Sequence, residues 1–216
     1  MNFNTFYSNQ NETFRQTPGI SHVRLFHAVP GAPAVDVYIN DKLIAKRLSY
    51  GNFTDYIPLA NGTYNVEVYP AGQEGSPILT INLPIADRKI YTLAVIGMLP
   101  RIGILPIEDG YEQLSPYRTN IRFANLSSNA PGLDLVLRDG MSLFSDINFT
   151  EVSDYIPLNA GDYSFFVRPT STVNNLIYLP VRLLPNRNLT FYVLGDYNQP
   201  SSLAVFIPMD GSTYLR

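Results

Sequence analysis

Hydrophobic and polar residues alternate along most of this chain in short runs, which are separated by Pro, Gly, Asn and Asp. This two-residue period is typical of half-buried β-strands. No stretch combines a helical period with a capping residue at its start. The pattern predicts an all-β protein with about seven strands in its first half, at residues 22–28, 34–39, 54–59, 62–69, 77–83, 89–97 and 101–107.

The first half of the chain is repeated in the second half. The stretch RLFHAVPGAPAVDVYI at 24–39 aligns without a gap with RFANLSSNAPGLDLVL at 122–137, and LPIEDG is answered later by IPMDG. These matches keep a spacing close to 98 residues, so the duplication covers whole domains. The sequence therefore predicts two tandem immunoglobulin-like Greek-key β-sandwich domains with a flexible N-terminal arm. The predicted divisions are an arm at 1–20, a first repeat at 21–110, a linker at 111–118 and a second repeat at 119–216.

Two local patterns predict turns. Asn40 and Asp41 suit a tight turn between two strands, because Asn and Asp readily adopt the left-handed conformation that such turns require. The pattern P-L-x-x-G-x-Y ends in Tyr64 in the first repeat and in Tyr163 in the second. This pattern resembles a tyrosine corner, in which the hydroxyl bonds back to nearby backbone. We expect a structural role for both tyrosines.

Each repeat carries an arginine and an aspartate within apolar strands. Asp36 and Asp134 interrupt such strands, and Arg24 and Arg122 stand in the strands before them. A buried carboxylate must be paired or hydrogen-bonded. We expect either an Arg to Asp contact within each repeat or an Asp that accepts from the P-G-A-P turn. An active site would need further acids, bases or nucleophiles in both repeats, and none is visible.

Composition excludes several functions. Charged residues make up 15% of the chain and the net charge is -3, so there is no basic surface for nucleic acid. The chain has no Cys, which removes disulfides and cysteine nucleophiles. His22 and His27 are the two histidines, and their odd spacing would place them on opposite faces of a strand. Asn125 replaces His27 in the second repeat. We therefore predict no catalytic residues, no cofactor, no metal site and no enzymatic activity.

The opening motif of the first repeat resembles that of a bacterial family, the domain of unknown function 4397 (DUF4397). The residues that carry the resemblance are Arg24, His27, Ala28, Pro30, Ala32, Pro33, Val35, Asp36, Val37 and Tyr38. The second repeat departs from the motif at Asn125 and at Ser127 and Ser128. The resemblance implies an immunoglobulin-like β-sandwich, often in tandem and often in surface or envelope proteins. It implies no catalytic residues.

These observations predict a non-enzymatic structural or interaction module of a bacterial surface layer, associated with a spore coat or an appendage. Its expected partners are proteins, including further copies bound through the N-terminal arm. The alternative is a carbohydrate-binding or adhesive β-sandwich. The N-terminus has no Sec signal pattern and no apolar run is long enough to span a membrane. We therefore expect a bacterial cell or spore surface that is reached by another route, or otherwise the cytoplasm.

Overall fold

A computed structural model describes residues 19–73, 75–110 and 114–215. The described residues form β-strands and two short 3-10 turns, with no α-helix among them. The first repeat contains eight strands: β1 (Ile20–His27), β2 (Val35–Ile39), β3 (Lys42–Leu48), β4 (Ile57–Ala60), β5 (Gly62–Pro70), β6 (Leu79–Ile85), β7 (Ile90–Met98) and β8 (Arg101–Glu108). The second repeat contains another eight: β9 (Arg118–Asn125), β10 (Leu133–Leu137), β11 (Ser142–Ile147), β12 (Ile156–Asn159), β13 (Gly161–Pro169), β14 (Ile177–Leu183), β15 (Arg187–Leu194) and β16 (Ala204–Phe206).

The sixteen strands form four sheets of four strands, two in each repeat. The first repeat has the orders β4-β1-β7-β8 and β3-β2-β5-β6, and the second has β12-β9-β15-β16 and β11-β10-β13-β14. In both repeats the first strand pairs in parallel with the seventh, as β1 does with β7 and β9 with β15. The all-β class and the two sandwich-like units are confirmed. The immunoglobulin-like Greek-key topology stays a prediction.

Three hydrophobic cores stack the four sheets into one series of layers. One core lies inside each sandwich, between its two sheets. The third lies between the repeats, where the sheet of β1, β7 and β8 faces the sheet of β9 and β15. Its fully buried members include Phe26, Ala94, Ala124, Tyr192 and Leu194. The strands β1, β7, β9 and β15 are therefore buried on both faces, and each repeat keeps one outer sheet towards solvent.

The edge strands are poorly suited to accept a further strand. Of the eight edge strands that the structure describes, five contain a proline: Pro58, Pro84, Pro106, Pro157 and Pro180. Proline has no backbone N–H and so interrupts the hydrogen-bonding edge of a sheet. Of the other three, β3 and β11 have register shifts against their neighbours and β16 has three residues. An added strand would meet an interrupted or short edge on each sheet.

The predicted turn chemistry is present. Asn40 and Asp41 have φ values of 46° and 62° in the turn between β2 and β3. The Tyr64 hydroxyl donates to the carbonyl oxygen of Ala60 at 2.8 Å, and the Tyr163 hydroxyl donates to that of Asn159 at 3.0 Å. The predicted return of both hydroxyls to nearby backbone is confirmed.

The predicted domain divisions remain a prediction. Residues 1–18 of the arm and 111–113 of the linker lie outside the described residues. The strand β1 begins at Ile20, inside the predicted arm, and β9 begins at Arg118, inside the predicted linker.

We predict that Tyr64→Phe lowers the free energy of unfolding by about 0.5–1.5 kcal/mol, because one hydroxyl-to-carbonyl hydrogen bond is lost and the ring is kept. Tyr163→Phe should have the same effect, since its hydroxyl makes the equivalent bond. Urea denaturation followed by circular dichroism measures both changes. If neither substitution changed stability, the structural role of these hydroxyls would be rejected.

Candidate functional site

Four charged side chains are buried between the two repeats. Arg24 and Arg122 are each 4% exposed, and Asp109 and Asp210 are 0% exposed. The arginines stand on β1 and β9, the central strands that face each other across the third core. The aspartates follow the last strand of each repeat, in the segments LPIEDG and IPMDG. Each repeat thus contributes one arginine and one aspartate to the cluster.

Each arginine contacts the aspartate of the other repeat. The Arg24 guanidinium places Nη2 at 3.4 Å from Asp210 Oδ1 and donates through Nη1 to the carbonyl oxygen of Met209 at 3.0 Å. The Arg122 guanidinium places Nη2 at 2.9 Å from Asp109 Oδ1 and donates through Nη1 to the carbonyl oxygen of Glu108 at 2.6 Å. Both arginines therefore bind the opposite repeat by the same pair of contacts.

Hydroxyl groups complete the cluster. The Nε atom of each arginine donates to a threonine of its own repeat, Arg24 to Thr92 at 2.9 Å and Arg122 to Thr190 at 2.7 Å. The second oxygen of each aspartate accepts from a tyrosine of its own repeat, as in the 2.6 Å bond from Tyr56 to Asp109. Every polar side chain in this set therefore has at least one defined partner.

The same tyrosines contact the arginines through their rings. The Arg24 guanidinium carbon lies 4.8 Å from the centre of the Tyr56 ring and 4.7 Å from that of Phe53. The Arg122 carbon lies 4.6 Å from the centre of the Tyr155 ring. Cation–π contacts of this kind are stronger when both groups are removed from water. They help to stabilise charges that burial would otherwise disfavour.

Two arginines and two aspartates make the cluster formally neutral. Burial raises the pKa of the Asp210 carboxyl, and the neighbouring Asp109 carboxylate adds to this, while both arginines oppose it. Burial also raises the pKa of the hydroxyl of Tyr56, and the adjacent carboxylate contributes. Each neutral tyrosine hydroxyl donates a hydrogen bond to the carboxylate beside it, so the network is internally satisfied.

The expected contact between arginine and aspartate within one repeat is wrong. Asp36 accepts from the backbone N–H groups of Arg47 at 2.6 Å and Gly72 at 2.9 Å. These two hydrogen bonds lower the pKa of the Asp36 carboxyl. Its counterpart Asp134 accepts from the N–H of Asp146 and from the hydroxyl of Thr170. The carboxylates of Asp36 and Asp134 therefore accept from the neighbouring strand and loop and not from the P-G-A-P turn, and they hold the local backbone in place.

His27 and Asn125 make the same two hydrogen bonds. His27 Nε2 lies 3.0 Å from the carbonyl oxygen of Pro33, and its Nδ1 accepts from the N–H of Val29 at 3.3 Å. Asn125 donates to the carbonyl oxygen of Pro131 and accepts from the N–H of Ser127. A ring that donates at Nε2 and accepts at Nδ1 is neutral. Burial also lowers the pKa of His27, so its role is to hold the turn after β1.

We predict that His27→Asn makes the free energy of unfolding depend less on pH below pH 6.5. Because the folded pKa of His27 lies below its ordinary value of 6.5, the unfolded chain binds a proton that the folded chain resists as pH falls below 6.5. The wild type therefore loses free energy of unfolding as pH falls below 6.5. The asparagine variant lacks the part of this loss that comes from His27. At pH 8 the two should differ by less than about 1.5 kcal/mol, because both bonds can be kept. Urea denaturation from pH 8 to pH 5 measures the two slopes, and equal slopes would contradict the assignment.

An open cleft lies on the second repeat, beside the segment that leads into β9. It has a volume of about 420 Å³ and is lined by Leu114, Ser115, Pro116, Arg118, Asn120, Tyr155 and Pro157. The Tyr155 hydroxyl is already bonded to Asp210 at 2.7 Å. Among the described residues, no histidine or carboxylate lines this cleft and no group of three or more metal-ligating side chains occurs. The amide of Asn120 is already bonded to Asn188 at 2.8 Å.

Comparison with known proteins identifies a family and distant structural likenesses. A family model described as Domain of unknown function (DUF4397) matches residues 21–136 and, as a second region, residues 129–210. No curated protein gives a significant match.

Among solved structures, the Bacillus anthracis TIE protein is 12% identical with a TM-score of 0.28, over 81% of this chain and 33% of that one. The chain thus spans about a third of that structure. A streptococcal virulence factor described as binding alpha-glucan is 10% identical with a TM-score of 0.28, over 91% and 99% of the two chains. Likenesses this distant carry no argument about this chain.

Proposed function

Because the chain belongs to the DUF4397 family, whose description assigns no activity, we propose a function from the geometry of the two repeats. The protein is a non-enzymatic structural and interaction module of a bacterial surface layer, such as a spore coat or an appendage. The observation that supports this most is the buried cluster, because its charged groups are used to join the repeats. A catalytic group must instead reach a substrate.

A module of this kind needs a fixed distance and orientation between its two outer surfaces. The junction combines a hydrophobic core with two buried ion pairs, and both are contributed jointly by the repeats. Buried ion pairs are directional and tolerate little misalignment. We infer that the two sandwiches move as one rigid body, which suits a building unit of a layer.

The location at a cell or spore surface belongs to the same proposal. The low content of charged residues, the 15 tyrosines and the absence of cysteine are the features of composition that support it. Within the described residues, no helix combines the length and the apolar character that crossing a bilayer needs. A fluorescent fusion of this protein should locate to the spore or cell periphery. A diffuse cytoplasmic signal together with spores that show no fluorescence would reject this location.

Self-association is the test of the structural function. The full chain and a variant lacking residues 1–20 should be compared by analytical ultracentrifugation and by electron microscopy of the purified protein. We expect the full chain to form ordered particles, filaments or sheets at high concentration. If both proteins stay strictly monomeric, the structural function is rejected. If deletion alone abolishes assembly, the arm is the contact between copies.

A carbohydrate-binding module is the second candidate. One observation favours it: the rings of Phe166 and Tyr178 lie together on the outer sheet of the second repeat, and Tyr178 is 57% exposed. Arg138 and Ser164 line the same open surface. Aromatic surfaces with adjacent polar groups are common in sugar sites. Binding on a glycan array that Tyr178→Ala abolishes would support this function over the first.

A further inference from the structure

The two outer sheets have the same strand arrangement, but their exposed side chains differ. Glu67 pairs across the sheet with Tyr38 on one side and Thr80 on the other. At the same place in the second repeat, Phe166 pairs with Val136 and Tyr178. The buried junction keeps the same arginines, tyrosines and aspartates in both repeats. The outer sheets therefore differ at this place, whereas the junction keeps its polar cluster.

The outer sheet of the first repeat presents what we call the acidic face, formed by Tyr38, Asp41, Glu67 and Tyr69. The two tyrosine rings lie 5.4 Å apart and line one open cleft with the two carboxylates. Glu67 accepts only a weak bond of 3.2 Å from the Tyr69 hydroxyl, and no described cation forms an ion pair with either carboxylate. The positive residues of this sheet stand on the edge strand β3, where Lys42 follows Asp41 directly. The acidic face thus combines two rings with two carboxylates that no described cation pairs.

The outer sheet of the second repeat presents the basic face, formed by Arg138, Phe166, Arg168 and Tyr178. Its two rings lie 5.2 Å apart. Arg138 forms no ion pair with a described carboxylate. The Nε atom of Arg168 is buried without a hydrogen-bond partner, and its nearest carboxylate oxygen is 3.7 Å away on Asp134.

Three described acids surround the basic face. Asp134 accepts two hydrogen bonds from its own repeat. Asp139, which follows Arg138, accepts from the N–H of Met141 at 3.0 Å, and Asp162 lies 4.0 Å from Arg182 in an exposed pair. The basic face therefore presents the Arg138 guanidinium, which has no ion pair with a described carboxylate, beside an aromatic pair.

We propose that the acidic face of one molecule binds the basic face of a second copy, head to tail. This inference deepens the proposed structural function and rests on it. The two faces lie at opposite ends of the four stacked sheets, so one molecule cannot bring its own faces together. A contact between two different surfaces leaves one free face at each end of the pair, and the chain of molecules can grow. Opposite charges favour this register, and pairing of two identical faces would bring like charges together.

The geometry predicts the dimensions of the assembly. Packed sheets lie about 10 Å apart, so four stacked sheets give an axial repeat of about 40 Å per molecule. A filament of that repeat is expected in electron micrographs at low ionic strength. Salt should weaken it, because exposed charges are screened within about 8–10 Å at 0.1–0.15 M salt.

Two charge reversals test the contact. Glu67→Arg alters only the acidic face, and Arg138→Glu alters only the basic face. Each variant alone should associate at least tenfold more weakly than the wild type in sedimentation velocity at low salt. Mixed in equal amounts, they should associate again, because the first keeps an intact basic face and the second an intact acidic face, and the two reversed faces are also opposite in charge. Asp154→Arg and Arg101→Glu are matched controls on exposed positions outside both faces.

The outcomes separate this inference from the function it rests on. If the wild type assembles and neither reversal changes its association, the head-to-tail contact is rejected and the structural function stands. If mixing the two variants restores no association, the contact is also rejected. A monomeric wild type that binds glycans through the basic face would reject both proposals. Thermal unfolding followed by circular dichroism verifies that each variant is folded.

Discussion

Asp109→Asn is expected to lower the free energy of unfolding by about 3–5 kcal/mol, the usual effect of removing one partner from a buried ion pair. Asparagine keeps the shape of the side chain and loses its charge. The Arg122 guanidinium then lies buried, with its Nη2 atom at 2.9 Å from a neutral group. The Tyr56 hydroxyl and the N–H of Gly211 also lose a charged acceptor. Since hydrogen bonds to charged groups are worth more than neutral ones, three contacts weaken at once.

Urea denaturation followed by circular dichroism measures this effect. Asp162→Asn is the matched control, because its side chain is 81% exposed and its ion pair with Arg182 is long. Such surface pairs contribute about 0–1 kcal/mol, so the control should change little. Because Asp109 joins the repeats, we expect the wild type to unfold in one transition and the Asp109→Asn variant to unfold in two. An effect no larger than that of the control would show that the cluster does not stabilise the junction.

Phe26→Ala is expected to lower the free energy of unfolding by about 3–5 kcal/mol, as large-to-small substitutions of buried aromatic residues do. The Phe26 side chain is 0% exposed and stacks on Phe53 with ring centres 3.8 Å apart. It also lies 5.3 Å from the ring of Tyr192 in the second repeat. Its removal leaves a cavity in the core that both repeats share, so the loss includes contact between the repeats.

Phe26→Leu is the graded control for this cavity. Leucine fills part of the volume and leaves a smaller cavity, so we expect a loss of less than about 2 kcal/mol. Denaturation curves of the two variants and the wild type give the comparison. Equal losses for alanine and leucine would mean that the cost lies in the stacking of Phe26 on Phe53 rather than in the cavity.

The repeat, the strand pattern and the corner tyrosines could be predicted because they depend on neighbours in sequence. Alternation places strands, and Asn40 with Asp41 sets a turn within four residues. The return of the Tyr64 hydroxyl to Ala60 spans four positions. Such features need no knowledge of how distant segments meet.

The partner of Arg24 could not be predicted in this way. It is Asp210, which is 186 positions away and belongs to the other repeat. One signal pointed towards a second buried face: the run YTLAVIG in β7 and the run LTFYVL in β15 are almost continuously apolar. Strands that are covered on both sides have this composition, whereas strands with one solvated face alternate. Asp36 is the partner expected from sequence, because it is a carboxylate inside the apolar strand that follows Arg24, but it lies on an outer sheet.

The reciprocal contacts of Arg24 and Arg122 have the form of an isologous interface, in which two subunits exchange the same contact about a two-fold axis. Here both halves belong to one polypeptide. A homodimer with this interface would separate on dilution, whereas a covalent link between the halves gives them an effective concentration in the millimolar range. The pairing of the two sandwiches is therefore independent of protein concentration, and a single molecule holds it at any dilution.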